Sequence, residues 1–139
     1  MKCMYIPKVL LVEDNAGDIL LIRQILSKSS FPVRLQVAVD GEQEVEMLAD
    51  PEFKPNLVIL DLNIPKIPGL IVLEKCMPAA PVVVFTSSAN PAEIKQAIEL
   101  GVREFVRKPS DLGEFAKAVI RMIQDWGTPQ NCGAACGTS

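Results

Sequence analysis

Short apolar runs punctuate the chain. Residues 9–12, 57–60 and 82–85 are each too brief for a helix, are rich in β-branched side chains and end at a polar residue. That is the pattern of parallel strands buried on both faces. Residues 33–39 alternate instead, with Val33, Leu35, Val37 and Val39 on one side and Arg34, Gln36 and Ala38 on the other, which predicts a partly exposed edge strand. A fifth, short strand is predicted at residues 104–106.

Helical patterns fill the intervals, and cap chemistry announces them. Asp40 precedes Gln43 by three residues, Asn90 precedes Glu93 and Asp111 precedes Glu114, the spacing at which a short polar side chain and a longer one satisfy the first backbone amides of a helix. Pro91 and Gly101 bracket the fourth helix by the Pro-first, Gly-last asymmetry. In the last helix Leu112, Phe115, Ala116, Val119, Ile120 and Ile123 recur at helical spacing and predict one apolar stripe facing the core. Trp126 is expected to anchor the final turn.

Strand then helix, five times over, implies an α/β protein: an open parallel sheet covered by helices on both faces through right-handed crossovers. In such sheets ligands bind beyond the carboxyl ends of the strands, where strand order reverses. With 139 residues, nearly half of them hydrophobic, one folded unit is expected over 1–126. The small, polar, Gly-rich segment 127–139 is expected to be a flexible tail.

Composition narrows the function. A formal net charge of −3 without clustered Lys and Arg argues against a nucleic-acid partner. The lack of a long apolar run or an ordered signal peptide argues against membrane insertion and for a cytoplasmic location. Cys3, Cys76, Cys132 and Cys136 are read as free thiols. The chain has no histidine, which removes Ser-His-Asp and Cys-His catalysis and most zinc sites. Any chemistry must run on carboxylates, hydroxyls and lysine.

Those groups sit at the predicted strand ends. Glu13 and Asp14 end the first strand, Asp61 the third and Thr86 the fourth, while Lys108 follows the fifth. All five should converge on one rim. Three carboxylates held close should raise one another's pKa values unless a divalent cation intervenes, and magnesium suits an all-oxygen site that retains waters. A hydroxyl and an ammonium aimed at the same rim make sense if the third partner is a phosphoryl group. Asp61 would then be the nucleophile and the product an acyl phosphate.

The ordered motifs LLVEDN, VILDLNIPKIPGL, VVVFTSSAN and FVRKPSDL resemble the receiver domain of bacterial two-component response regulators, from about Lys8 through Trp126. The resemblance implies a flavodoxin-like fold, strand order 2-1-3-4-5, with five helices on two faces. It places the acidic pair at Glu13 and Asp14, the phosphoacceptor at Asp61, a main-chain carbonyl ligand of magnesium at Asn63, the hydroxyl at Thr86, the lysine at Lys108 and an aromatic switch at Phe105. EDNAGD and VIRMIQDW also look like the regulators that partner bacterial phytochromes.

That family implies a sensor histidine kinase, here a bacterial phytochrome, as phosphoryl donor. It also implies a homodimer through the face of the fourth helix, fifth strand and fifth helix. Two departures stand out: LEKCMPAAPVVVF is short after the third helix, which leaves that helix and its packing open, and Phe105 lacks the hydroxyl of the commoner tyrosine. Phosphorylation is expected to draw Thr86 inward and let Phe105 turn into the space behind it.

Other readings of the same residues exist. Asp14 or Asn15 could simply cap the first helix, and Asp61 could begin a turn before Pro65 and Gly69. An aspartate-nucleophile phosphatase would place a second Asp two residues after the nucleophile as general acid, where this chain has Asn63. A receiver-like binding module that never meets phosphate would not need the five-residue set.

Overall fold

The computed structural model describes residues 5–30, 32–87 and 89–127. Five strands alternate with five helices: β1 (Lys8–Val12), α1 (Ala16–Ser27), β2 (Arg34–Ala38), α2 (Gly41–Ala49), β3 (Leu57–Leu60), α3 (Gly69–Lys75), β4 (Val82–Thr86), α4 (Pro91–Leu100), β5 (Glu104–Arg107) and α5 (Leu112–Trp126). Every pairing is parallel and the strand order is β2-β1-β3-β4-β5, the flavodoxin-like arrangement. The order reverses between β1 and β3, so the crevice open to a ligand lies beyond Val12 and Leu60.

Strand side chains alternate between two cores, which is why the central strands read as unbroken apolar runs. Val9, Leu11, Leu57, Ile59, Val83 and Phe85 pack with Ile22 of α1 and with Phe115, Val119, Met122 and Ile123 of α5. Leu10, Val12, Val58, Leu60, Val82 and Val84 pack on the other face with Leu73 of α3, Ala97 of α4, and Met47 and Leu48 of α2. Two helices therefore cover one face and three the other.

The predicted caps form. Asp40, Asn90 and Asp111 each accept a hydrogen bond from the amide three residues on, and Asn90 with Glu93 closes a reciprocal box. Gly101 ends α4 at φ 105°, a left-handed conformation that a side chain would strain. At the other end of the sheet Gly41 is needed for a different reason. A Cβ there would sit 2.1 Å from the Ile67 carbonyl oxygen, so only glycine lets α2 start against the loop that follows β3.

Three details depart from the sequence pattern. Leu112, expected in the core stripe of α5, is 68% exposed, while Met122 is fully buried. Leu112 is the first residue of α5, just after the Asp111 cap, and the sheet-facing arc begins a turn later. Ala38, expected on the polar side of the edge strand, is buried against the second core and Val39 is exposed, because α2 folds over the end of β2. The third helix is present but has only seven residues and no side-chain cap. Pro78 and Pro81 leave it little room to extend.

Among the described residues no helix is long and apolar enough to cross a membrane. Cys76 is a free thiol. Cys3, Cys132, Cys136 and, apart from Gly127, the expected tail lie outside the described residues.

One polar residue stands against the packing. Glu44 of α2 is fully buried, and neither carboxylate oxygen has a hydrogen-bond partner among the described residues. Burial pushes its carboxyl up to about 8, so the fold holds a proton that the unfolded chain releases near pH 4.5. Its contribution is therefore most favourable below about pH 4.5 and is lost as pH rises through about 8. Glu44→Met, similar in volume and with no polar group to bury, is expected to raise the unfolding free energy by about 1–3 kcal/mol. Urea titrations at pH 5 and pH 8 check this, with the larger gain expected at pH 8.

Candidate functional site

The parallel ladders run one residue past the strands and deliver the site. The Glu13 amide donates to the Ala38 carbonyl (2.9 Å), the Asp61 amide to the Val12 carbonyl (3.0 Å) and the Lys108 amide to the Thr86 carbonyl (2.8 Å). Backbone pairing thus fixes three side chains, distant in sequence, on one rim at the switch point.

Their side chains meet at the Lys108 ammonium. Nζ donates to Glu13 Oε1 at 2.6 Å, Asp18 Oδ2 at 2.8 Å and Asp61 Oδ2 at 2.9 Å. An ammonium has three N–H donors, so this one is filled. The side chains of Lys108, Glu13 and Asp61 are at most 7% exposed, while that of Asp18 is 29% exposed. Nζ also lies 6.0 Å from the centre of the buried Phe85 ring.

The second oxygen of Asp61 is held separately. Thr86, 1% exposed, donates its hydroxyl to Asp61 Oδ1 at 2.8 Å, and the Asn63 amide donates to the same oxygen at 2.9 Å. The Asn63 side-chain amide donates in turn to Thr86 Oγ1 at 3.2 Å. The Thr86 hydroxyl thus faces Asp61 in this structure.

Charge is shared unevenly among the acids. Burial alone would push Asp61 up, but the Asn63 amide, the Lys108 ammonium and the Thr86 hydroxyl together hold its carboxyl below the usual aspartate range. Glu13 has less support. Burial pushes its carboxyl up to about 7, the Asp61 charge adds to this, and Lys108 only partly opposes it. Burial also works against the charged lysine, yet the hydrogen bonds to Asp18, Glu13 and Asp61 outweigh it and hold Lys108 above the ordinary lysine range. Glu13 is thus raised chiefly by burial, with the neighbouring Asp61 charge adding less, and Asp61 is lowered rather than raised.

Asp14 does not join this cluster. It is exposed, and its side chain makes no hydrogen bond or ion pair among the described residues. Nor do three His, Cys, Asp or Glu side chains form a metal-holding group among those residues. The Lys108 ammonium instead stands where two of the expected ligands meet, 2.6 Å from Glu13 and 2.9 Å from Asp61. A cation already bridges these oxygens, and a donor set of carboxylates is one that a hard divalent ion accepts. The residues fit such an ion once Lys108 gives up those two contacts.

Phe105 pairs in register with Val84, two residues before Thr86, so both point to the same face of the sheet. It is half-buried against the second core and lines a surface cavity of about 600 Å³ with Ile94, Ile98, Val102 and Glu104. Trp126, expected to anchor the last turn, donates its indole N–H to Glu104 Oε1 at 3.0 Å.

Asp18 was not foreseen. Its signal lay in the sequence: Asn15-x-x-Asp18 has the spacing of Asn90-x-x-Glu93. Asn15 does cap α1 through the Asp18 amide, but the Asp18 carboxylate leaves the helix for Lys108.

The sequence profile of the response regulator receiver domain matches residues 9–120. The chain belongs to the response regulator receiver domain family. This receiver domain is 34% identical to response regulator Rcp1 of Synechocystis sp. over 86% of its own length and 89% of Rcp1. Among solved structures, the phosphorylated cyanobacterial phytochrome response regulator RcpA matches with a TM-score of 0.80 at 30% identity, over 88% of this chain and 94% of that one. The Mn(2+)-bound form of Rcp1 matches at 0.77 and 32%, over 87% and 94%. The receiver's role is that of a phosphoacceptor in two-component signalling, and its homologues include phytochrome response regulators.

The shared ammonium makes the receiver's stability depend on Lys108. Lys108→Met strands three acids around an apolar stem, and the expected loss is about 3 kcal/mol at pH 8. The loss should shrink at pH 5, because Glu13, raised even in the wild type, takes up its proton as pH falls below about 7. Chemical unfolding at the two pH values measures both.

Proposed function

We propose that Asp61 is the residue that takes the phosphoryl group, from a partner sensor histidine kinase, with magnesium bound at Glu13, Asp14, Asp61 and the Asn63 main-chain carbonyl. The observation that carries this reading is the frame around Asp61: an ammonium 2.9 Å from one oxygen and a hydroxyl 2.8 Å from the other, in buried surroundings at the sheet's switch point. Such a frame keeps the carboxylate ionised and therefore nucleophilic. A carboxylate oxygen of Asp61 attacks phosphorus in line as the bond from phosphorus to the donor nitrogen breaks. Magnesium, when bound, supplies charge neutralisation at the phosphoryl oxygens.

Lys108 then has a second anion to serve. With Glu13 and Asp61 engaged by the cation, its freed N–H groups can reach phosphoryl oxygens. Thr86 exchanges the Asp61 oxygen for a phosphoryl oxygen as acceptor. Because Phe105 lies on the same face of the sheet, that exchange is positioned to alter how its ring packs beside α4. Driving such a shift nearly to completion needs about 5 kcal/mol of preference for one state, which a few charge-assisted contacts can supply.

Likeness to Rcp1 and RcpA supports a bacterial phytochrome as the kinase, and a cytoplasmic site of action is part of the same proposal. Output runs through protein binding or self-association, with the α4, β5 and α5 face as the dimer surface. Ile98, 58% exposed on α4, is an apolar residue that such a contact would cover.

Incubation with acetyl phosphate and magnesium chloride should add one phosphoryl group by intact-mass spectrometry. The gain should disappear in Asp61→Asn and on chelation of magnesium. A gain that survives in Asp61→Asn would move the acceptor elsewhere. Light scattering with and without phosphorylation tests the dimer, and a monomer in both states would exclude it.

A further inference from the structure

We propose that Asp18 is a positioning residue for Lys108: it keeps hold of the ammonium when Glu13 and Asp61 turn to a cation and an incoming phosphoryl group. The inference rests on the reading of Asp61 as phosphoacceptor. Of the three carboxylates on Nζ, Glu13 and Asp61 have other duties in that reaction. Asp18 has none.

The local chemistry of α1 shows what Asp18 gives up. With Asn15 as cap, Asp18 stands three residues on, where an acid commonly reaches back to the cap's own N–H. Glu93 does this in α4, accepting from the Asn90 amide at 3.1 Å. In α1 the Asn15 amide turns instead to Glu13 Oε2 at 3.2 Å, and the Asp18 carboxylate is released to Lys108. Half of the capping box is exchanged for an anchored lysine.

The anchor is also rigidly held. Asp18 lies in the first turn of a helix, its own amide bonded to Asn15 Oδ1 at 2.9 Å. It approaches the ammonium from the partly exposed rim, whereas Glu13 approaches from the buried side. When the two inner partners are engaged elsewhere, two N–H groups come free and the third still fixes where Nζ sits. Without that contact the flexible four-carbon stem has no fixed end.

The test uses the full chain with Asp18→Asn, which keeps shape and removes charge, and Asp18→Glu, which keeps charge. Two readouts are needed. One is the Lys108 ammonium signal in the ¹⁵N–¹H NMR spectrum, before and after magnesium chloride. The other is the initial phosphorylation rate against acetyl phosphate concentration. The wild type should keep a protected ammonium signal after magnesium is added, and Asp18→Asn should lose it. In Asp18→Asn the saturating rate should fall on the order of tenfold, the worth of one charge-assisted hydrogen bond, with a much smaller change in the half-saturating donor concentration. Asp18→Glu should restore most of the rate.

Asp18→Asn phosphorylated at the wild-type rate would overturn the proposal. So would a rate loss with the ammonium signal still protected, since Asp18 would then act through charge alone. A wild type that takes no phosphoryl group would instead overturn the phosphoacceptor reading.

Discussion

One ammonium balances three carboxylates at the end of this sheet, and the rest of the site is arranged around that fact. Glu13, Asp18 and Asp61 each lie within 2.9 Å of Lys108 Nζ, in surroundings where unpaired charges are costly. A single cation cannot neutralise three anions. Burial chiefly raises Glu13, and the Asp61 charge adds to it. In the proposed function, the resting state held by this internal cation and the magnesium-bound state differ chiefly in which partners Lys108 keeps.

The sheet makes that arrangement dependable. Glu13, Asp61 and Lys108 are each tied by backbone hydrogen bonds that extend the parallel ladders beyond the last paired residue, so the site inherits the rigidity of the core. The loop after β3 is fixed from the other side. Lys66 there adopts a left-handed conformation at φ 70° and pairs with Asp40 at 3.5 Å, while Gly41 lets the α2 backbone press on Ile67. The α2 terminus therefore braces the segment that carries Asn63.

The strands and most helix starts were legible because they follow from local chemistry. Runs such as 57–60 have no polar face to hide, and Asp40, Asn90 and Asp111 cap by rules that need only three residues. Convergence of Glu13, Asp61, Thr86 and Lys108 was legible because strand ends in a parallel sheet share a rim. What escaped depends on tertiary detail. Whether Asp18 would close its box or leave it was decided by a lysine ninety residues away. The burial of Glu44 shows only once α2 is packed against the sheet. Leu112 reads as core from its spacing and is exposed because α5 begins outside the core. Asp14, adjacent to Glu13, is left exposed because the side chain at position 13 already occupies the buried side.

The shared ammonium can be seen directly. A high-resolution crystal structure of the unphosphorylated protein, grown without divalent cations, should show Lys108 Nζ within hydrogen-bonding distance of Glu13, Asp18 and Asp61 at once. Lys108 turned to solvent, with the acids separated by water, would contradict the account.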